Sequence, residues 1–279
     1  MRVGDDLHVG HATALHTPNG LLTCNTPDLM ATPDDHQFAA DIATQAGALL
    51  LAVRAEFAAT NRDASELKDE GDRRSHVLLM ELLAAGRPDD AVLSEEGADD
   101  TARLTAERVW IIDPVDGTRE FSEPPRSDWA VHVALVEQHT PTVGAVALPG
   151  LATTLHTGQP PILPSAIDGP PRIVCSRTRP GAAADVLVEA LGGELVRMGS
   201  AGAKSMAVVR GEADIYAHTG GQYEWDSCAP AAVATAAGLH ASRLDGSPLR
   251  YNAANPYLPD LLICRPELAE RAITVLRGA

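Results

Sequence analysis

Asp113 and Asp116 flank Pro114-Val115 in the stretch Val109-Trp110-Ile111-Ile112-Asp113-Pro114-Val115-Asp116-Gly117-Thr118, where four apolar residues of strand type switch abruptly to acid, Pro, acid, Gly and Thr. The proline fixes φ, so both carboxylates leave a stiff turn at the carboxyl end of a strand, where open α/β sheets place their ligands. Two carboxylates that close repel unless a cation lies between them. A hard divalent ion such as Mg²⁺ suits them, because it takes carboxylate, carbonyl and water oxygens and keeps room for a phosphate. Gly117 and Thr118 follow with backbone N–H groups and a hydroxyl able to cradle that phosphate. Taken alone, the same residues read equally as a capped strand-to-loop turn with two solvated acids.

Two further stretches supply acids in a similar setting. Val92-Leu93-Ser94-Glu95-Glu96-Gly97 is a short apolar strand ending in a pair of Glu, of which only one can face a given side. Glu224-Trp225-Asp226-Ser227-Cys228-Ala229-Pro230 puts Asp226 at the mouth of an Ala-rich helix, where an Asp also serves as a cap. In this order, the three motifs resemble those of the metal-dependent, lithium-sensitive phosphatase superfamily of inositol monophosphatase and the 3'(2'),5'-bisphosphate nucleotidases. The tail Asp116-Gly117-Thr118-Arg119-Glu120-Phe121 is similar to the nucleotidase branch called CysQ. The resemblance spans roughly residues 37 to 279.

It implies a layered α/β fold, a two-lobe αβαβα sandwich, and a site residue by residue. Glu95, Asp113 and the carbonyl of Val115 would hold a first Mg²⁺. Asp113, Asp116 and Asp226 would hold a second, and a third, weaker ion would join near Glu95 with substrate. Asp72, about two dozen residues before Glu95, would partner Thr118 in activating water, which makes Asp72, Thr118 and Glu95 the catalytic group. Asp116, Gly117, Thr118 and Asp226 would touch the scissile phosphate. Ser176-Arg177 and the loop Gly199-Ser200-Ala201-Gly202-Ala203-Lys204 resemble substrate segments, with Arg177 set to meet phosphate or stack on a base and Lys204 a candidate for a second phosphate; an ordinary surface Arg at a helix entry is an equal reading of Arg177. A homodimer is common among such relatives.

The resembled inositol enzymes carry a Glu seven residues before the final motif Asp, and here that position is Thr219. This departure, with the Gly117–Phe121 tail, favours 3'-phosphoadenosine 5'-phosphate, cleaved to AMP and phosphate as a clearance step in sulfur assimilation. Inositol phosphates and fructose 1,6-bisphosphate are the alternative substrates. A metal- or nucleotide-binding regulator without turnover is the reading from another class, and it is disfavoured because every position the chemistry needs is filled.

Other phosphate chemistries fail on spacing. Gly199 to Ser205 has Ala203 where a P-loop needs Gly before its Lys. Asp113 and Asp116 are separated by two residues rather than the one of an aspartyl nucleophile pair, and Cys175 has Gly181, not Arg, at the spacing of a thiol phosphatase. Acids outnumber bases 38 to 22, a formal charge of −16, which argues against a nucleic-acid polymer or an anionic membrane as partner and for a small phosphate ester drawn in by bound cations. Cys24, Cys175, Cys228 and Cys264 form no C-x-x-C pair, as expected of reduced cytoplasmic thiols. No uninterrupted run reaches the roughly 18 to 20 apolar residues of a membrane span.

The elements that must position these residues alternate. Residues 1–33, with His8, His11 and His16, read as a loose extension. A helix from Asp34 to about Thr60 and a second one, with Asp72 at its mouth, precede strands at Ala91–Leu93, Arg108–Ile112, Val131–Val136 and Thr142–Leu148, the last two a hairpin. Five prolines between Gly158 and Pro171 mark the boundary of a metal-binding lobe, 34–160, with a substrate-specificity lobe, 161–279. In the second lobe strands at 172–175, 194–196, 213–216 and 261–264 alternate with helices at 182–191, 201–209, 226–237 and 267–276.

Overall fold

Ala39, Ile42, Ala46, Leu50, Val53 and Phe57 recur at helical spacing and form the buried face of the first helix, α1 (Pro33–Thr60). The computed structural model describes residues 31–60, 63–165, 168–178 and 180–278. The proposed extension therefore lies outside the described residues up to Met30, together with Cys24 and its three histidines. After α1 come α2 (Ala64–Gly86), β1 (Ala91–Ser94), β2 (Arg108–Asp116), the single turn α3 (Thr118–Phe121), β3 (Ala130–Glu137), β4 (Thr140–Leu148) and β5 (Thr153–His156). The rest of the chain runs β6 (Arg172–Ser176), α4 (Ala182–Leu191), β7 (Glu194–Met198), α5 (Ala201–Val209), β8 (Ile215–Tyr223), α6 (Glu224–Ala236), β9 (His240–Ser242), β10 (Tyr257–Cys264) and α7 (Pro266–Arg277).

Two five-stranded sheets result, ordered β1-β2-β3-β4-β5 and β7-β6-β8-β10-β9. In the first, β1 runs parallel to β2 and the remaining pairs are antiparallel; in the second, β7, β6 and β8 are parallel and β10 opposes both its neighbours. Trp110, Ile112, Val131, Val133 and Leu135 face α1 and α2. Val109, Ile111, Ala130, Ala134 and Val136, on the opposite face, share a core with Met206 and Val209 of α5, Ala229 and Val233 of α6, and Tyr216 and Leu261 of the second sheet. The outer face of that sheet, with Ile173, Ile215 and Leu262, is closed by Leu187 of α4 and Ala272 of α7. The layers are thus α, β, α, β, α, the expected sandwich, and α5 and α6 are the filling shared by both sheets.

Several local expectations change. By length and mean hydropathy α1 alone would pass for a membrane span, although no single run is uninterrupted; its apolar face lies against the first sheet. The second helix starts at Ala64, capped by Asp63, so Asp72 sits in its middle rather than at its mouth. The polar stretch is helical because Glu70 pairs with Arg73 and Arg74 at spacings of three and four, and because Leu67 is buried. β8 continues past Tyr216 to Tyr223 because β10 pairs with it along that length, and β5 and β9 are edge strands too short for periodicity to reveal. Cys175, Cys228 and Cys264 are buried free thiols.

Candidate active site

In a regular strand residues three apart point to opposite faces. Asp113 and Asp116 share one face because β2 bulges between them: Asp113 is opposite His132 and Asp116 opposite Ala130, so three steps on β2 answer two on β3. Val115 consequently sits in the core on the α1 and α2 side with Trp110 and Ile112, while both acids face the inner layer. The bulge, more than the rigidity of Pro114, is what converges the carboxylates.

Three helices complete the site. On α2, Asp72 and Ser75 lie on one face: Ser75 Oγ donates to the Pro114 carbonyl at 2.7 Å, and Thr118 Oγ1 lies 3.4 Å from Asp72 Oδ1 and 3.1 Å from the Val115 carbonyl oxygen. At the start of α5, Asp116 accepts the Ala201 N–H at 3.0 Å, the Gly202 N–H at 2.6 Å and the Ser200 hydroxyl, so a β2 carboxylate caps a helix of the second half. In the first turn of α6, Asp226 accepts the Tyr223 N–H at 2.7 Å. The helix begins two residues before Asp226, at Glu224, so this acid is a third-position capping residue and its other oxygen is available to a ligand.

One ligand oxygen each from Asp113, Asp116 and Asp226 lies within 4.8 Å of the others. Glu95, just past the end of β1, stands outside that trio, near enough to Asp113 for each carboxyl to act on the other's proton. Asp113 and Asp116 are buried. Burial, then the charges of Glu95, Asp116 and Asp226, hold the Asp113 carboxyl well above its ordinary value. Glu95 is open to solvent on its outer side, yet crowding by protein, then Asp226, pushes it up to about 7. Asp226 rises to about 6 through burial and the charge of Asp116. Burial would also raise Asp116, but His132, Lys204 and Ser200 bring it down to about 2. A buried group of acids that resists full ionisation, and offers only hard oxygens, fits a divalent cation. Asp72 fits a proton carrier: burial and the charge of Glu96 push its carboxyl up to about 7, beside the Thr118 hydroxyl.

Of these acids, Asp116 and Asp226 line a cavity of about 750 Å³, while the buried Asp113 is not among its lining residues. Asp116, Gly117, Thr118, Ser176, Ser200, Lys204 and Asp226 line it, as does Thr219 on β8. Gly117 has φ of 83°, a left-handed conformation that a side chain would strain. Lys204 is buried, its ammonium donating to the Ser200 carbonyl and lying 5.3 Å from the Tyr216 ring centroid. Arg177 is placed differently: its guanidinium turns to Glu120 at 2.7 Å and Glu123 at 3.0 Å on the α3 side and is not among the lining residues. The structure gives places to two more residues, Glu120 of the motif tail and His132, which sequence reasoning did not single out. Glu120 is buried and lines the cavity as Arg177's partner. His132 is fully buried beside Asp113 and Asp116, and its one signal was a lone polar residue at an inward position of an apolar strand.

The sequence profile of the inositol monophosphatase family matches residues 34–160 and 175–278. The chain belongs to the inositol monophosphatase family. It is 50% identical over 262 residues, 90% of this chain and 96% of the other, to a Mycobacterium leprae protein named 3'-phosphoadenosine 5'-phosphate phosphatase. A Mycobacterium bovis protein of the same name is 53% identical over 232 residues, covering 80% of this chain and 86% of its own. Among solved family members, CysQ from Bacteroides thetaiotaomicron superposes with a TM-score of 0.69 at 25% identity over 84% of this chain and 97% of that one.

Proposed function

We propose that this chain is a 3'(2'),5'-bisphosphate nucleotidase that hydrolyses 3'-phosphoadenosine 5'-phosphate to AMP and phosphate in the cytoplasm. The observation that carries the reading is the joining, on one cavity, of Asp116 and Asp226 from the acidic cluster with Lys204 and Thr219. The names of relatives at 50% and 53% identity agree with it. Thr219 offers a short hydroxyl where an inositol-type site needs a carboxylate, and Lys204 is a cation at the floor that suits a second phosphate.

We assign Glu95, Asp113 and the Val115 carbonyl to one Mg²⁺ and Asp113, Asp116 and Asp226 to another, with a third ion near Glu95 when substrate is bound. Bound there, the ions would lower the pKa of an attacking water and stabilise the leaving oxygen. The protein's own groups supply the rest. Thr118 receives the water's proton and relays it to Asp72, whose carboxyl near 7 holds it at neutral pH. Gly117 and Thr118 N–H groups and the Thr118 hydroxyl orient the phosphate; Ser176 and Ser200 position the rest of the substrate on the cavity wall. Residues 34–160 act as the metal-binding lobe and 161–279 as the lobe that discriminates substrates.

The test is phosphate release from 3'-phosphoadenosine 5'-phosphate, inositol 1-phosphate and fructose 1,6-bisphosphate in Mg²⁺, with Asp113→Asn as control. Turnover highest on the nucleotide, lost in the control and in chelator, and inhibited by Li⁺ is the expected result. Equal or better turnover on a sugar ester would overturn the assignment of Lys204 and Thr219.

A further inference from the structure

His132 stands on β3 directly opposite Asp113, among Ala130, Ala134 and Val136 on the same inner face, with no exposed surface. Its Nδ1 lies 2.9 Å from the carbonyl oxygen of Trp225, in the first turn of α6 and one residue before Asp226. A carbonyl only accepts, so Nδ1 carries the proton and the ring orientation is set. At the far side Nε2 lies 3.3 Å from Asp116 Oδ2 and makes no hydrogen bond. A Cβ on Gly202 would come within 2.0 Å of that nitrogen, so the ring is also pressed against the first turn of α5. One imidazole therefore touches the bulge of β2 and the starts of α5 and α6.

A buried nitrogen without a partner costs folding free energy, and an apolar side chain would fill an inner-face position without that cost. Asp116 already has donors from Ser200, Ala201 and Gly202, all of which tie it to α5. His132, packed against that carboxylate at 3.3 Å and bonded to the Trp225 carbonyl, sets its position relative to α6, the helix that carries Asp226. We propose that His132 is a positioning residue of the cation site, holding Asp116 and Asp226 at the separation a divalent ion requires. The inference rests on the reading of Asp113, Asp116 and Asp226 as metal ligands. Partners behind first ligands commonly govern metal affinity in this way.

The experiment measures Mn²⁺ binding by electron paramagnetic resonance of the free ion, without substrate, in the full chain and in Asp113→Asn, His132→Leu and His132→Asn. Thermal midpoints are taken in chelator. Leu restores volume without a nitrogen; Asn can still donate to the Trp225 carbonyl but does not reach Asp116. The expected result is Mn²⁺ affinity about 10- to 100-fold weaker in both His132 variants. The midpoint of the metal-free His132→Leu protein should equal or exceed that of the unaltered one. Affinity in His132→Leu equal to that of the unaltered chain would overturn the proposal, because packing alone would then suffice. Binding to the unaltered chain no tighter than to Asp113→Asn would instead refute the metal-ligand reading, and the proposal with it.

Discussion

Gly202→Ala sets two known effects against each other at the centre of the site. In the first turn of α5 the change to Ala would by helix propensity alone add about 1 kcal/mol of stability. The new Cβ, however, would stand 2.0 Å from His132 Nε2, 2.9 Å from its Cε1 and 3.1 Å from Asp116 Oδ2. Relief requires a shift of more than an ångström, and the obstacle is a ring without exposed surface, tethered at 2.9 Å to the Trp225 carbonyl, instead of a mobile side-chain end. Overpacking of this kind costs about 1 to 3 kcal/mol, so steric strain outweighs propensity. The shift must also pass to Asp116, whose bond from the Gly202 N–H is 2.6 Å long. A misplacement of about 1 Å in a reacting site is worth about 10²-fold in rate. Gly202→Ala should therefore lower the urea midpoint and reduce kcat/KM on 3'-phosphoadenosine 5'-phosphate by about two orders of magnitude. In the double variant with His132→Ala, stability should recover more than additivity allows, since the methyl then enters the vacated volume. A single variant as stable as the unaltered chain, with turnover within about twofold, would refute the reasoning, because the start of α5 would then be able to move without disturbing Asp116.

Away from the site, Asp35 should set acid stability. Burial would raise its carboxyl, but the Thr32 N–H, the Thr32 hydroxyl, Arg87 and Arg108 bring it from 3.8 down to about 2. A depressed acid stabilises the fold above its unfolded value and loses that contribution as pH falls from about 4 through 2. Asp35→Asn should accordingly cost about 1 to 2 kcal/mol at neutral pH, after allowance for solvent screening, with the gap closing by pH 2 in urea titrations; a gap independent of pH would contradict this. Glu224 accepts the Asn252 and Ala253 N–H groups at 2.6 and 2.8 Å. In Glu224→Gln one of those amides meets a donor, so the thermal midpoint should fall by the equivalent of about 1 to 3 kcal/mol. An unchanged midpoint would contradict this. Arg177→Ala frees Glu120 and Glu123 beside the cavity, and KM for the nucleotide should rise about tenfold with kcat within about threefold; steady-state kinetics showing the reverse split would place Arg177 in the chemical step.

The acids themselves were legible because their signals are local. A strand that ends in Asp-Pro-Val-Asp-Gly-Thr, one that ends in Glu-Glu, and an acid at a helix start each occupy a few consecutive residues, and strand-helix alternation in the second half follows from periodicity. The hairpin of β3 and β4 was legible in the same way, though its turn is the two residues Gln138 and His139 rather than five. Polar periodicity without apolar repeats hid the first turns of α2, and with them the true place of Asp72.

What the chain determined by itself, then, was which groups would be available: hard oxygens on stiff strand ends, one well-placed Thr, a lysine in a small-residue loop. Which way they face was decided only in three dimensions. The β2 bulge exists because of pairing with β3, and without it Asp113 and Asp116 would point to opposite faces. Asp116 is held by residues 84 to 86 positions away, and His132 by a carbonyl 93 away. Arg177 turns to Glu120, 57 residues earlier, to which its guanidinium donates at 2.7 Å. The physical reason is common to all of these: a side chain's direction depends on which distant donors and acceptors the packing brings within about 3 Å, and no short window of sequence contains both partners.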